Sequence, residues 1–172
     1  YQELSNIPCL SVVENMYLGC EKKKGGLIDW KEQKRSAKKA LARVGLEDVD
    51  LDMPMERLGM GQRQLVEIAR AIDRNAKLLI MDEPTAGLTA VEQIYVFNLL
   101  HKIKARGTSV IYITHRIDEV IDHCDSVTVL VDGTNKYSGT VNGITKDELH
   151  LIMSGRALNH ELHISGSDRG EH

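Results

Sequence analysis

Apolar positions along the chain change their period several times, and each change marks an element. Leu78, Leu79, Ile80 and Met81 are apolar at four successive positions, which predicts a strand buried on both faces. The stretch "SVIYITH", residues 109–115, has the same character and predicts a second buried strand. Between them Val96, Leu99, Leu100 and Ile103 recur at helical spacing, and Gly107 stops that helix. One helix between two strands predicts a βαβ crossover and so a parallel pair.

The first half of the chain reads as helical. Val12, Val13, Met16 and Tyr17 line one side of a short helix, and Gly25 with Gly26 breaks the chain after it. Asp29 is the expected N-cap of the next helix, whose stripe is Trp30, Ala37, Ala40, Leu41 and Val44, ending at Gly45. Leu65, Ile68, Ala69 and Ile72 then form the inner side of "GMGQRQLVEIARAIDRN". Beyond the strands, "HRIDEVIDHC" predicts a helix and "SVTVLVDGTNKYSGTV" a hairpin turning at Asp132-Gly133. "TKDELHLIMSG" is a last helix capped by Thr145, and "SGSDRGEH" is expected to be disordered.

The chemistry sits where these elements end. Asp82 and Glu83 close the first strand, and Pro84 prevents the ladder from continuing. Acids often end strands as turn formers, but open α/β sheets also bind ligands beyond the carboxyl ends of their strands. A carboxylate there can hold Mg²⁺ through water, and its neighbour can orient or deprotonate an attacking water. Gly59 and Gly61 in "LGMGQ" precede a helix, where side-chain-free residues admit an anion to backbone N–H groups. His115 follows the second strand, on the edge expected to carry Asp82 and Glu83, and so is a candidate phosphate contact. Gln2 offers an amide that could sense a metal or a water.

Bulk properties narrow the classes. Net charge is −3, which argues against a general polyanion binder. Nine Lys and Arg residues between Lys22 and Arg43 lack interleaved aromatics, so they read as a solvated face rather than a nucleic-acid surface. No apolar run reaches the roughly 18 residues of a membrane span. Cys9, Cys20 and Cys124 are odd in number and far apart, which reads as reduced thiols in a cytosolic protein. His160, Glu161 and His163 stand in "HELH", with the wrong spacing for a zinc-protease helix.

Taken in order, these segments resemble the nucleotide-binding subunit of ATP-binding cassette transporters. "YQE" is similar to the glutamine loop, "LGMGQRQLVEIARAI" to the signature and its helix, and "LLIMDEP" to the Walker B strand with its glutamate. "TAGLT" resembles the D-loop and "ITHR" the switch-histidine loop. "QELSNIPCLSVVENMYLG", "VEIARAI" and "IMSGRAL" resemble the monosaccharide importers of the ribose and galactose type, in which one polypeptide carries two cassettes.

The resemblance implies a P-loop NTPase-like (RecA-like) α/β fold: a parallel sheet core with an inserted helical subdomain, its N-terminal part missing. Residues 1–157 would be the partial ATP-binding domain, with 10–75 helical and 76–157 the α/β core; 158–172 would be a linker or tail. It implies ATP and Mg²⁺ as ligands, Glu83 and His115 as catalytic groups, and Asp82 with Gln2 at the metal. Gly59, Met60, Gly61 and Gln62 would face nucleotide held by a second cassette. Membrane permease subunits would be direct partners and an external sugar-binding protein an indirect one, with no nucleic acid. The place would be the cytoplasmic face of the membrane. Two departures matter: no GxxxxGK(S/T) occurs, and Gly59 stands where the family has serine. A soluble cassette ATPase and a non-catalytic docking module remain the alternatives.

Overall fold

The structure is a computed structural model that describes residues 6–155. Gln2, the "HELH" histidines and the tail therefore lie outside the described residues. The chain divides into two compact units between Ile113 and Thr114.

The first unit opens with α1 (Val12–Tyr17), started by a reciprocal cap in which Ser11 accepts from the Glu14 N–H and the Glu14 carboxylate accepts from the Ser11 N–H. Asn15, buried in α1, clamps the preceding loop. Its amide donates to the carbonyls of Ile7, Leu10 and Ser11, and its oxygen accepts from the Ile7 N–H. The expected break at Gly25-Gly26 is the tip of a small antiparallel hairpin, β1 (Lys23–Lys24) and β2 (Leu27–Ile28). Asp29 caps α2 (Trp30–Ala42) by accepting from the Glu32 N–H. Lys34 pairs with Asp52 at 2.6 Å and Arg35 with Glu32 at 2.6 Å, in keeping with a solvated basic face.

Then come α3 (Met60–Asp73), β3 (Leu78–Asp82), α4 (Ala90–Lys104) and β4 (Ser109–Ile113). The core joins Val12, Val13 and Met16 to Ala37, Ala40 and Leu41, and to Val66, Ile68 and Ala69. Met81 joins the same core beside Val96, Phe97 and Leu100 of α4. Trp30 departs from the expected stripe: it is the first residue of α2 and is 44% exposed.

β3 and β4 pair in parallel, Leu78 opposite Ser109 through Asp82 opposite Ile113, as the crossover predicts. Burial on both faces, however, is corrected. Leu78, Ile80, Ile111 and Ile113 are 47%, 60%, 47% and 48% exposed. The core covers the Met81 side of the pair, and among the described residues no element covers the other face.

The second unit contains α5 (Ile117–His123), β5 (Ser126–Val131), β6 (Thr134–Thr140) and α6 (Lys146–Met153). β5 and β6 form the expected antiparallel hairpin. Its two turn residues, Asp132 and Gly133, both have positive φ (51° and 71°), the geometry that matches strand twist in a two-residue turn. Ile117, Val129, Ile144, Leu149 and Ile152 make its core, and Thr145 caps α6 reciprocally with Glu148.

Candidate functional site

The carboxyl end of β3 presents the acid pair. Asp82 is the last strand residue and is exposed; Glu83 is half-buried and turns away from the strand with φ 44°. A left-handed conformation costs a side-chain-bearing residue about 1–2 kcal/mol, so surrounding contacts must impose it. They do: the Glu83 N–H donates to the Ile113 carbonyl at 2.8 Å, and the Glu83 carbonyl accepts from the Ala86 N–H at 3.0 Å. Thr85 is buried and its hydroxyl lies 3.2 Å from that of Tyr112. The turn after the acids is thus fixed to both strands, and no local pattern signals the strained backbone at Glu83.

The start of α3 forms a second part of the same unit. Gly59 is its N-cap with φ −62° and ψ 160°, ordinary extended backbone that serine adopts readily. Its N–H donates to Gln62 Oε1 at 3.2 Å. Arg63 holds the loop from behind, donating to the carbonyls of Leu58 (2.9 Å) and Glu56 (2.7 Å). No acid belongs to the first turn itself, whose N–H groups and positive end suit an anionic group, and the Glu92 carboxylate of α4 lies beside Gly61. Met60 is exposed, with its methyl 3.7 Å from where a side chain on Gly87 would begin.

Gly61 has an intramolecular reason to lack a side chain. A Cβ there would collide with the Glu92 carboxylate. Glu92 cannot simply swing aside, since Oε2 accepts from the Thr89 N–H at 2.8 Å and from the Thr89 hydroxyl at 2.7 Å. These bonds cap α4 and hold the Glu92 carboxyl below its usual range. The glycine-rich turn is therefore seated on the cap of the helix that follows the acid pair.

His115 belongs to the second unit and is exposed. Its neighbours are braced by Glu119, a carboxylate only 5% exposed that sequence reasoning passed over. Glu119 accepts from the Thr114 hydroxyl at 3.1 Å and pairs with Arg116 at 2.6 Å. The Thr114 hydroxyl in turn accepts from the Arg116 N–H at 3.0 Å. The i,i+3 spacing of Arg116 and Glu119 was the available signal.

Asp82, Glu83 and Gly59–Gln62 are thus carried by one unit and His115 by the other. Among the described residues, no group of three or more His, Cys, Asp and Glu side chains is arranged to hold a metal. Mg²⁺ does not need such a cage: it usually keeps several waters and takes one or two carboxylates plus substrate phosphates. An exposed Asp82 at a strand tip fits that requirement.

The order of these parts, a glycine-rich helix start followed by a parallel strand ending in two acids, is that of an α/β domain whose ligand site lies beyond the carboxyl ends of its strands. The ABC transporter family model matches residues 1–86, and the chain belongs to that family. It is 39% identical over 171 residues to a xylose import ATP-binding protein of Brucella abortus (strain 2308), covering 99% of this chain and 34% of that protein. It is 40% identical over 172 residues to a ribose import ATP-binding protein of Caldanaerobacter subterraneus subsp. tengcongensis, with the same coverage. A D-allose import ATP-binding protein of Escherichia coli (strain K12) is 41% identical over 162 residues, 92% of this chain and 32% of that one. The chain thus spans about a third of the length of the curated relatives it matches. Among solved structures, the dimeric post-hydrolysis state of the ATP-binding cassette MJ0796 bound to ADP and Pi superposes with TM-score 0.68 at 26% identity. That match covers 84% of this chain and 62% of that cassette. The ADP conformation of the cassette MJ1267 gives 0.64 at 28% identity, covering 86% and 60%. The fold is that of the P-loop NTPase-like cassettes.

Proposed function

We propose that this chain is part of the ATP-hydrolysing subunit of a monosaccharide importer. The observation that carries the reading is the acid pair at the carboxyl end of a parallel strand, held by a strained and fully braced turn. The names of the relatives, all sugar import ATP-binding proteins, supply the transport context.

In the assembled transporter, Asp82 would hold Mg²⁺ through water, and such an ion would supply charge neutralisation at the phosphates. Glu83 accepts a hydrogen bond from the attacking water and polarises it toward the γ-phosphate. His115 donates to a γ-phosphate oxygen, with its loop positioned by Glu119. The first turn of α3, from Gly59 to Gln62, faces ATP held by a second cassette, so that hydrolysis requires two cassettes to close on each other. Gln2 connects the metal site to the membrane permease through residues 3–20. Residues 10–75 act as the helical subdomain and 76–157 as the α/β core. No helix among the described residues is long and apolar enough to cross a membrane, which suits a subunit bound at the cytoplasmic face. A sugar-binding protein outside the cell would deliver the substrate to the permease.

The alternative reading is a docking module with no turnover of its own. The two are separated in the longer protein that contains these residues. Glu83→Gln keeps the size of the side chain and removes its charge. It should leave ATP binding intact and lower single-site turnover by about 10²-fold or more. Unchanged turnover would remove Glu83 from the chemistry.

A further inference from the structure

The opposite ends of β3 and β4 from the acid pair carry a different feature. A cavity of about 260 Å³ opens where Lys77 enters β3 and Thr108 enters β4. Its floor is apolar, made by Ile72, Leu79 and Ile103, and its charged lining is Arg43, Lys77 and Arg106. Arg43 also lines an adjoining hollow with His101 and Lys102. No aspartate or glutamate lines either space, although acids outnumber lysine and arginine in the whole chain.

Three helices end nearby, so their carbonyls offer an ordinary reason for cations to gather. Arg74 shows such a role at the end of α1, where its guanidinium donates to the carbonyls of Met16 and Leu18. Arg43, Lys77 and Arg106 make no such direct bond. Among the described residues their side chains make no ion pair and no hydrogen bond to a carbonyl. Arg43, Lys77 and Arg106 are exposed, and they set three charged donors around one apolar-floored hollow, an arrangement that suits an anion. The volume lies below the roughly 300–1,000 Å³ typical of drug-sized ligands, which suits a small metabolite.

We propose that this cavity binds a small phosphate monoester: Arg43, Lys77 and Arg106 engage the phosphate, and Ile72, Leu79 and Ile103 pack against the organic part. The site is separate from the acid pair and does not rest on the transport reading. The test is an amide NMR titration of the 172-residue chain with inorganic phosphate, glycerol 3-phosphate and glycerol. Saturable shifts confined to Asn75, Ala76, Gly107 and Thr108 are expected, tighter for glycerol 3-phosphate than for phosphate and absent for glycerol. The variant Arg43→Gln/Arg106→Gln should weaken binding at least about tenfold, since each lost charged hydrogen bond is worth roughly that factor. Lys77→Gln provides a second, milder variant, and Lys38→Gln removes an exposed charge elsewhere. Non-saturating shifts, or a loss in Lys38→Gln equal to that in the cavity variants, would overturn the site. So would full binding by both cavity variants.

Discussion

At φ 44°, Glu83 holds a conformation that glycine adopts at no steric cost and other residues adopt at a penalty. The penalty is independent of the carboxylate, so stability and chemistry separate at this position. Glu83→Gly should be more stable than Glu83→Ala by about 1 kcal/mol, despite glycine's freer unfolded state. Paired thermal melts decide it; an alanine variant at least as stable as glycine would mean that the turn relaxes. Gly61 makes a complementary case. Gly61→Ala drives a methyl into the Glu92 carboxylate and should lower the melting temperature by uncapping α4. Adding Glu92→Ala removes the obstacle, so the double variant should lose much less than the two single losses added together. Strict additivity would show that Gly61 is required for another reason. Gly59 differs from both, since its φ is negative and a Cβ would meet only Gln62 Oε1 at 3.9 Å. Gly59→Ser therefore fits the loop, and a positive-φ requirement is ruled out as the reason for glycine there.

Four helices, α1, α2, α4 and α6, begin with side chains that accept from backbone N–H groups. Ser11 bonding holds the Glu14 carboxyl below its ordinary value, Thr89 does so for Glu92, and Lys146 for Asp118. A carboxylate depressed in the folded state contributes stability above its unfolded pKa and loses it as pH falls through the folded value. The melting temperature should therefore decline below the ordinary carboxylate range, near pH 4.5. Thr89→Ala and Ser11→Ala should each lower it at neutral pH and shrink the gap to wild type as the solution is acidified. A gap that stays constant from pH 7 to 3 would leave the caps without a role in the acid limb. These caps are also why so much of the fold was legible in the sequence. Asp29, Thr145 and the Asp132-Gly133 turn are local signals, and each starts or turns an element where its residue type dictates. The burial of β3 was not legible, because an apolar run records what a strand can bury and not whether a second layer stands over it. The left-handed Glu83 and the buried Glu119 brace arise from contacts made across the fold, and no local pattern encodes them. The acid pair and the glycine turn were readable from their positions at element ends, whereas the seating of Gly61 on Glu92 was not.

The whole chain carries an apolar sheet face, Leu78 and Ile80 beside Ile111 and Ile113, that lies open among the described residues. Exposed apolar patches of this kind drive association. The 172-residue chain should self-associate in sedimentation, and Ile80→Lys should shift it toward monomer. Sedimentation unaltered by that substitution would place the contact elsewhere. The chain should also bind Mg-ATP weakly or not at all, having no glycine-lysine loop to cradle the phosphates. Micromolar affinity by isothermal titration would overturn this. One consequence of the division at Ile113 concerns time rather than structure. In the second unit β5 meets β6 across a two-residue turn and α6 follows at once, so most of its contacts close over short stretches of chain. In the first, β3 meets β4, its partner among the described residues, only after the whole of α4 and the next loop have been made. Loop closure over short stretches is fast, and pairing over long ones is slow. On a ribosome releasing the chain from its amino end, β3 would emerge and wait unpaired, while the hairpin would zip almost as it appeared. β3, with four successive apolar residues, is thus left longer in search of its neighbour than either strand of the hairpin, and a chaperone that binds nascent chains would find a target there.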